Sequence, residues 1–156
     1  KSLDDGHALA RIDYTHKGFH AMVLKGSDTY YIDPFYHNYD HSAHQVYFRR
    51  DFTSEQTFNC EVNHAEPIAG NTGGSSALVG EELRTYRLAV AATGEYTQFH
   101  GGTVADAMAA IVTTMNRVNG VYETDISSRM ILIDSNHLIV YTNSGSDPYS
   151  GGSGAH

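Results

Sequence analysis

The sequence predicts an α+β fold, in which a β-rich N-terminal segment precedes a strand–helix–strand unit. Short segments of alternating apolar residues, separated by turns, occupy residues 1–65. A stretch rich in glycine, serine and threonine follows at residues 66–82. Beyond it, one amphipathic helical pattern lies between two strand patterns. If these two strands share a sheet, a helical crossover should make them parallel.

The β-rich segment is predicted to be a meander or a small antiparallel sheet. Strand patterns occur at residues 8–14, 19–24, 29–33 and 45–50, with turns at 15–18 and 25–28. Pro34 ends the third strand because proline cannot donate a hydrogen bond to a ladder. No helix or internal repeat is predicted here.

Residues 66–82 predict a flexible linker and the natural domain boundary. Exposed segments of this composition are also favoured sites of proteolysis. The predicted organisation is therefore a segment at 1–65, a linker at 66–82 and a unit at 83–156. The alternative is a long surface loop within a single domain.

The strand–helix–strand unit begins with the alternating pattern of residues 84–92, after which three glycines predict a break. Thr103 is a plausible helix N-cap, with Asp106 three residues on. The apolar stripe of the helix has steps of three and four and comprises Val104, Met108, Ile111, Met115, Val118 and Tyr122. Asn119 and Gly120 form a weak stop signal, so the helix is expected to end there or slightly later. Strand patterns follow at residues 130–133 and 138–141, and a loop or tail after Asn143.

Two strands and one helix cannot close a core alone. Either the N-terminal sheet docks on this unit, or polypeptide outside the chain covers it. Alanines at positions 105, 107, 109 and 110 would let the helix lie close to a sheet.

Composition excludes several classes of function. The 156 residues carry a net charge of −8, so no basic patch is available to neutralise phosphates, and neither nucleic acid nor an anionic membrane surface is expected as a partner. No apolar run approaches the roughly 20 residues of a membrane span. No signal peptide or initiator Met is present, so we expect a cut N-terminus with a secretion signal upstream. The single cysteine excludes an internal disulfide.

Residues 84–100 (RTYRLAVAATGEYTQFH) and 103–123 (TVADAMAAIVTTMNRVNGVYE) resemble the opening of the catalytic domain of bacterial reprolysin-like zinc metallopeptidases. These are metzincins related to the adamalysins. The resemblance continues at residues 141–143 and 147–149. It implies that the C-terminal unit is the first half of a metzincin α/β catalytic domain. Of the two ways to cover that unit, it implies the second, with further sequence expected beyond His156. It also implies a secreted or extracellular zinc metalloendopeptidase zymogen, whose partners are the remainder of the catalytic domain and a peptide or protein substrate.

The zinc-binding motif of that family, H-E-x-x-H-x-x-G-x-x-H, does not occur in the sequence. His37 and His41 have the spacing of the first two histidines of the motif, but Asn38 takes the place of the glutamate and cannot act as a base. A solvated histidine loop is favoured over a metal site for His37, His41 and His44. No catalytic residue is predicted, and the chain alone is expected to be inactive.

Cys60 is the one predicted metal-binding residue. The resemblance implies that a propeptide cysteine occupies the fourth zinc position in the latent enzyme, and Cys60-Glu61-Val62 looks like a variant of the Cys-Gly-Val pattern. Glu61 departs from that pattern, because a carboxylate beside the thiol disfavours the thiolate unless zinc is present. The alternative is a plain buried thiol.

Two functions remain open. In one, the chain is the propeptide end plus the N-terminal half of the catalytic domain of a metallopeptidase. In the other, it is a non-catalytic binding or inhibitory module that pairs with a partner chain, which the lack of catalytic residues favours.

Overall fold

A 22-residue helix lies between two β-sheets, one formed by N-terminal and one by C-terminal residues. The structure is a computed structural model that describes residues 8–25, 28–36, 40–53 and 82–149. Its strands and helices are β1 Leu9–Thr15, β2 Gly18–Leu24, β3 Tyr30–Pro34, β4 His44–Phe48, β5 Arg84–Leu88, α1 Gly94–Phe99, α2 Val104–Asp125 and β6 Ser128–Leu132. Short 3-10 helices occur at Arg49–Asp51 and Asn136–Ile139. The predicted α+β class is confirmed.

The N-terminal sheet is the predicted antiparallel meander, with strands in the order β1-β2-β3-β4. Its strand ends lie within two residues of the predicted ones. The β1–β2 hairpin pairs Leu9 with Leu24 and Thr15 with Gly18. Gly18 has φ of 114°, and a Cβ there would lie 2.8 Å from the Pro34 side chain. Only glycine fits this turn without strain.

Strands β5 and β6 pair in parallel, as the crossover predicts, from Arg84 opposite Ser128 to Leu88 opposite Leu132. The strand predicted at residues 138–141 is largely wrong. The chain leaves the ladder after β6, passes through the 3-10 helix Asn136–Ile139, and returns with Val140 forming a single parallel bridge to Ala92.

The side chain of Asn136 fills the gap that this detour leaves in the ladder. Its Oδ1 accepts from the Val90 N–H at 2.7 Å, and its Nδ2 donates to the Val90 carbonyl at 3.0 Å. Asn136 is 1% exposed, so water cannot substitute for it. An asparagine amide carries one acceptor and one donor group, like a strand residue, and here it replaces one.

Helix α1 is missing from the sequence prediction, because the glycines around it suggest a break. Thr93 caps it by accepting from the Tyr96 N–H at 3.3 Å. At Gly94 a Cβ would lie 2.1 Å from the backbone nitrogen of Ser144, and the Gly94 N–H donates to Asp147 at 2.8 Å. Gly94 is therefore the first residue of the helix, and the absence of a side chain there lets the backbone near Ser144 pack against it.

Helix α2 begins as predicted, with the Thr103 hydroxyl accepting from the Asp106 N–H at 3.1 Å. The helix does not end at Asn119 and Gly120 but runs past them to Asp125, the later of the two predicted options. Gly120 lies within it because the N-terminal sheet approaches closely there. A Cβ at Gly120 would lie 2.6 Å from Met22 Cε and 2.9 Å from Arg11 Cγ.

The two sides of α2 have different partners. The apolar stripe packs on the parallel pair, where Ala107 and Ile111 form a buried core with Ala92 and Val140. Val104, Met108 and Met115 pack against that core, as predicted. The N-terminal sheet covers the opposite side, so docking of this sheet, one of the two options for covering the unit, is observed. Residues 54–81 lie outside the described part, so the linker and the three-part division stay predictions.

Within the described residues, none of the helices combines the length and hydropathy that a membrane span requires.

Substituting Asn136→Ala should lower the free energy of unfolding by about 3 kcal/mol, because the buried N–H and carbonyl of Val90 lose their partners. Chemical denaturation of the 156-residue chain measures this. Asn143→Ala is the control, since that exposed side chain bonds only within its own turn, to the Gly145 N–H. It should cost about 0.5 kcal/mol. Equal losses for the two variants would contradict the role of Asn136.

Substituting Gly120→Leu should destabilise the chain by about 2 kcal/mol, because the added side chain has no space beneath Met22 and Arg11. Val121→Leu changes the next residue of the same helix, which is 38% exposed. It should leave stability within about 0.5 kcal/mol of the parent. A Gly120→Leu variant as stable as the Val121→Leu variant would show that the helix and sheet do not approach as described.

Candidate functional site

A cleft of about 800 Å³ lies between the N-terminal sheet and the helices α1 and α2. Its wall on the sheet side includes His20, Asp33 and Tyr47, and its wall on the helix side includes His100, Asp106 and Arg117. Most of the residues that line the cleft have polar or charged side chains. Carboxylates organise the contacts that join sheet and helix, and those contacts define the candidate site.

Asp33, on β3, is the centre of one cluster. One carboxylate oxygen lies 2.7 Å from His20 Nδ1, and the Tyr47 hydroxyl donates to the other at 2.7 Å. The guanidinium of Arg117, on α2, donates to the same carboxylate. Burial alone would raise the pKa of Asp33, but the hydrogen bonds from His20 and Tyr47 and the charge of Arg117 outweigh it and lower the pKa to about 2. Asp33 is therefore ionised near neutral pH and attracts Arg117.

The same cluster keeps the Tyr47 phenol protonated. Burial and the neighbouring Asp33 carboxylate raise the pKa of Tyr47 to about 12. The guanidinium of Arg117 also lies over the Tyr31 ring, 5.1 Å from its centroid. The Tyr47 hydroxyl thus donates a hydrogen bond to Asp33. The Arg117 guanidinium contacts both the Asp33 carboxylate and the Tyr31 ring.

Asp13, on β1, forms the second contact with α2. Its carboxylate accepts from the Thr113 hydroxyl at 2.6 Å and from Asn116 Nδ2 at 3.1 Å. Both partners are neutral and lie one turn apart on the helix. The contact therefore fixes the rotation of α2 relative to β1.

Asp106, in the first turn of α2, connects the β1–β2 hairpin to the helix start. Its side chain is 3% exposed and lies 2.7 Å from Lys17 Nζ and 3.0 Å from His16 Nε2. Lys17 also donates to the carbonyl of His100 at 2.9 Å. The Asp106 carboxylate thus joins the hairpin to the start of α2. Its negative charge also complements the positive end of the helix dipole.

Glu123, near the end of α2, joins both sheets. It forms ion pairs with Arg11 of β1 and Arg129 of β6. Hydrogen bonding to Arg129 is the largest cause that lowers the pKa of Glu123, and Arg11 adds to it. Glu123 therefore ties both sheets to one residue of the helix.

His100 lies at the far end of the cleft. Burial and the charge of Lys17 lower its pKa, so its neutral form dominates at neutral pH. Its ring packs 4.4 Å from the ring of Tyr96, centroid to centroid. Its ring thus packs on Tyr96, and its carbonyl accepts from Lys17.

Zinc does not fit the described residues. Among them, no group of three or more His, Cys, Asp and Glu side chains is placed to hold a metal ion. His41 is half-buried beside Gly18, and among the described residues its Nδ1 has no hydrogen-bond partner. His44 is exposed on β4 and packs edge-on against Phe19. His37 and Cys60 lie outside the described residues, so the zinc-ligand role of Cys60 stays a prediction.

The carboxylates and Arg117 of the candidate site were not predicted from the sequence. Polar and small residues recur on α2 at helical spacing, opposite the apolar stripe, at Asp106, Ala109, Thr113, Asn116, Gly120 and Glu123. That second stripe was a visible indication that two faces of the helix are covered. His16 and His20 also share the spacing noted for His37 and His41, but the hairpin turns them to different carboxylates.

Comparison with known proteins supports a family for the C-terminal part of the chain. Residues 82–155 match the family described as metallo-peptidase family M12B, reprolysin-like. This stretch contains β5, α1, α2 and β6, and the match supports a metallopeptidase class for it. The particular family it supports is the reprolysin-like one, as the sequence resemblance implies. No curated protein matches the chain, and no solved structure does.

Acid should weaken the sheet–helix contact through Asp33. Because its folded pKa is about 2 against an ordinary 3.8, the unfolded chain binds more protons between these values. Its contribution, about 2 kcal/mol, is therefore present above about pH 4 and is lost as the pH falls towards 2.

Free energies of unfolding measured between about pH 2 and about pH 5 test this expectation. The Asp33→Asn variant should lose about 2 kcal/mol less than the parent over that range. The Asp28→Asn control removes an exposed ion pair to Arg50 within the N-terminal region and should keep the parent's pH dependence. An unchanged slope for Asp33→Asn would contradict the assignment.

Proposed function

We propose that the chain is part of a secreted zinc metalloendopeptidase zymogen. In this proposal, residues 83–156 supply the first strands and helices of the catalytic domain, and the N-terminal sheet is a propeptide element seated on α2. The observation that carries the proposal is the coincidence of the family match with one structural unit. Residues 82–155 match the reprolysin-like family and contain the parallel pair with its crossover helix.

The N-terminal sheet supports its assignment as a propeptide element in two ways. It lies outside the family match, and it is a separate antiparallel sheet rather than an extension of the parallel pair. Its contacts with α2 are mostly ionic and polar, which is typical of surfaces that separate, rather than of a shared core.

The exposed parallel pair supports the idea that further polypeptide completes the catalytic domain. Tyr86 on β5 and Ile131 on β6 are each about half exposed, at 51% and 52%. Parallel sheets are normally covered on both faces and contain more than two strands. In the proposal, the covering polypeptide also brings the zinc-binding histidines and the catalytic glutamate, since the H-E-x-x-H motif does not occur in this sequence.

Zinc bound in the intact enzyme would polarise the scissile carbonyl and activate water. The residues of this chain would hold the catalytic sheet in place and, before processing, keep the N-terminal sheet on it. Cys60 would be the propeptide thiol that occupies the metal in the latent state.

The full reading frame that encodes this chain tests the proposal. We expect it to encode an H-E-x-x-H motif after residue 156, and the processed full-length protein to cleave peptides and to bind stoichiometric zinc. The 156-residue chain alone should do neither, as measured by fluorogenic peptide hydrolysis and by metal analysis after dialysis. In the full-length zymogen, Cys60→Ala should raise activity before processing.

A frame that stops at residue 156 and encodes a cooperatively folding, inactive protein would overturn the proposal. A full-length protein without zinc would overturn it as well.

The second candidate is a non-catalytic binding or inhibitory module that pairs with a partner chain. The specific observation in its favour is the exposure of large apolar side chains at Phe99, 86% exposed, and Leu138, 70% exposed. Such residues are frequent at interfaces. A stop codon at residue 156, together with a defined heteromeric complex in native mass spectrometry, would favour this function.

A further inference from the structure

The contacts between the N-terminal sheet and α2 suggest that these two parts form a separable pair. We infer that residues 8–53 act as a detachable partner of α2, which stays bound in trans through charge-paired contacts after the intervening backbone is cut. This inference does not rest on the peptidase proposal. It concerns only how the two described parts of the chain recognise each other.

The first argument is the absence of shared backbone pairing. Within the described residues, no strand pairing and none of the turn and loop backbone hydrogen bonds joins residues 8–53 to residues 82–149. The two sheets are therefore not one hydrogen-bonded structure. Separation would break side-chain contacts but no ladder.

The second argument is the position of the apolar core. The core of the C-terminal part, around Ala107 and Ile111, lies on the side of α2 that faces the parallel pair. None of the residues that form or pack against this core comes from the N-terminal sheet. Loss of the sheet would leave that core in place and would expose a mainly polar helix face.

The third argument is charge reciprocity. The sheet presents the bases Arg11 and Lys17 to the helix acids Glu123 and Asp106. It presents the acid Asp33 to the helix base Arg117. Positive and negative side chains thus alternate along the interface. If the sheet shifted by one helical turn, these opposite charges would no longer be in contact. Such complementarity favours one partner and one register.

A small apolar contact adds to these charges. Met22, which is 2% exposed, packs over Gly120, between the Arg117 and Glu123 positions of the helix. A contact of this kind is insensitive to salt, whereas the ion pairs at the cleft are partly exposed and are screened by it. Binding should therefore weaken with ionic strength without disappearing.

The test uses the full 156-residue chain with a specific protease site inserted between Gly73 and Gly74. After complete cleavage, gel filtration and native mass spectrometry report whether the two pieces remain together. We expect co-elution at about 0.05 M NaCl and an apparent Kd at least about tenfold weaker at about 0.5 M NaCl.

Arg117→Met is the main variant, because it removes the helix's contact with Asp33 and leaves the His20 and Tyr47 contacts within the sheet. It should weaken association of the cleaved pieces by about tenfold or more. Asp28→Asn is the matched control, since it removes an ion pair of 2.7 Å that lies wholly within the N-terminal region. It should leave the Kd within about twofold of the parent.

A second variant tests the interface in case Arg117→Met unfolds the protein. Thr113→Val combined with Asn116→Leu removes both partners of Asp13 and leaves the Asp33 cluster intact. It should also weaken association, while thermal unfolding of the uncut chain shows that the fold persists. Pieces that separate on cleavage at low salt, a Kd independent of salt, or equal effects of Arg117→Met and Asp28→Asn would each overturn the inference.

Discussion

The structure depends on one constraint, which is that α2 must pack against a different sheet on each of its two sides. Its apolar stripe packs on β5 and β6, and its opposite face meets the N-terminal sheet through Thr113, Asn116 and Arg117. Glycine at position 120 keeps the second sheet close enough for these side chains to reach it. The apolar stripe of α2, its polar face and its position between the sheets match this double packing.

Two asparagine side chains satisfy backbone groups that a longer ladder would otherwise pair. Asn136 bonds both polar groups of Val90, and Asn119 does the same for Met130, with both of its distances at 2.7 Å. In each case a side-chain amide makes the two hydrogen bonds that a neighbouring strand would make. Buried backbone groups need partners, so these residues let a two-stranded parallel pair persist beside an irregular connection.

Asn119 and Gly120 show why a local motif can be misinterpreted. As a pair they suggest the end of a helix, since asparagine and glycine are frequent there. In the structure both lie inside α2. Asn119 donates to the Met130 carbonyl of β6, and Met22 packs against Gly120. Gly120 meets residues distant in sequence, and Asn119 bonds to Met130 on the following strand. A local pattern contains neither contact. The strand predicted at residues 138–141 fails for the same reason, because Asn136 replaces the pairing that an apolar run suggests.

The sequence by itself determined the α+β class, the strands of the N-terminal meander, the N-cap at Thr103 and the parallel pairing across the crossover helix. These features follow from alternation, helical spacing and capping, which act over a few residues. The carboxylate contacts of the cleft depended on the tertiary structure, because Asp13, Asp33 and Asp106 each join the N-terminal sheet to α2 through a partner 84 to 103 residues away in the chain. An ionised side chain acquires its role from whatever charge the fold brings beside it, and only the packing of the sheet on α2 decided that.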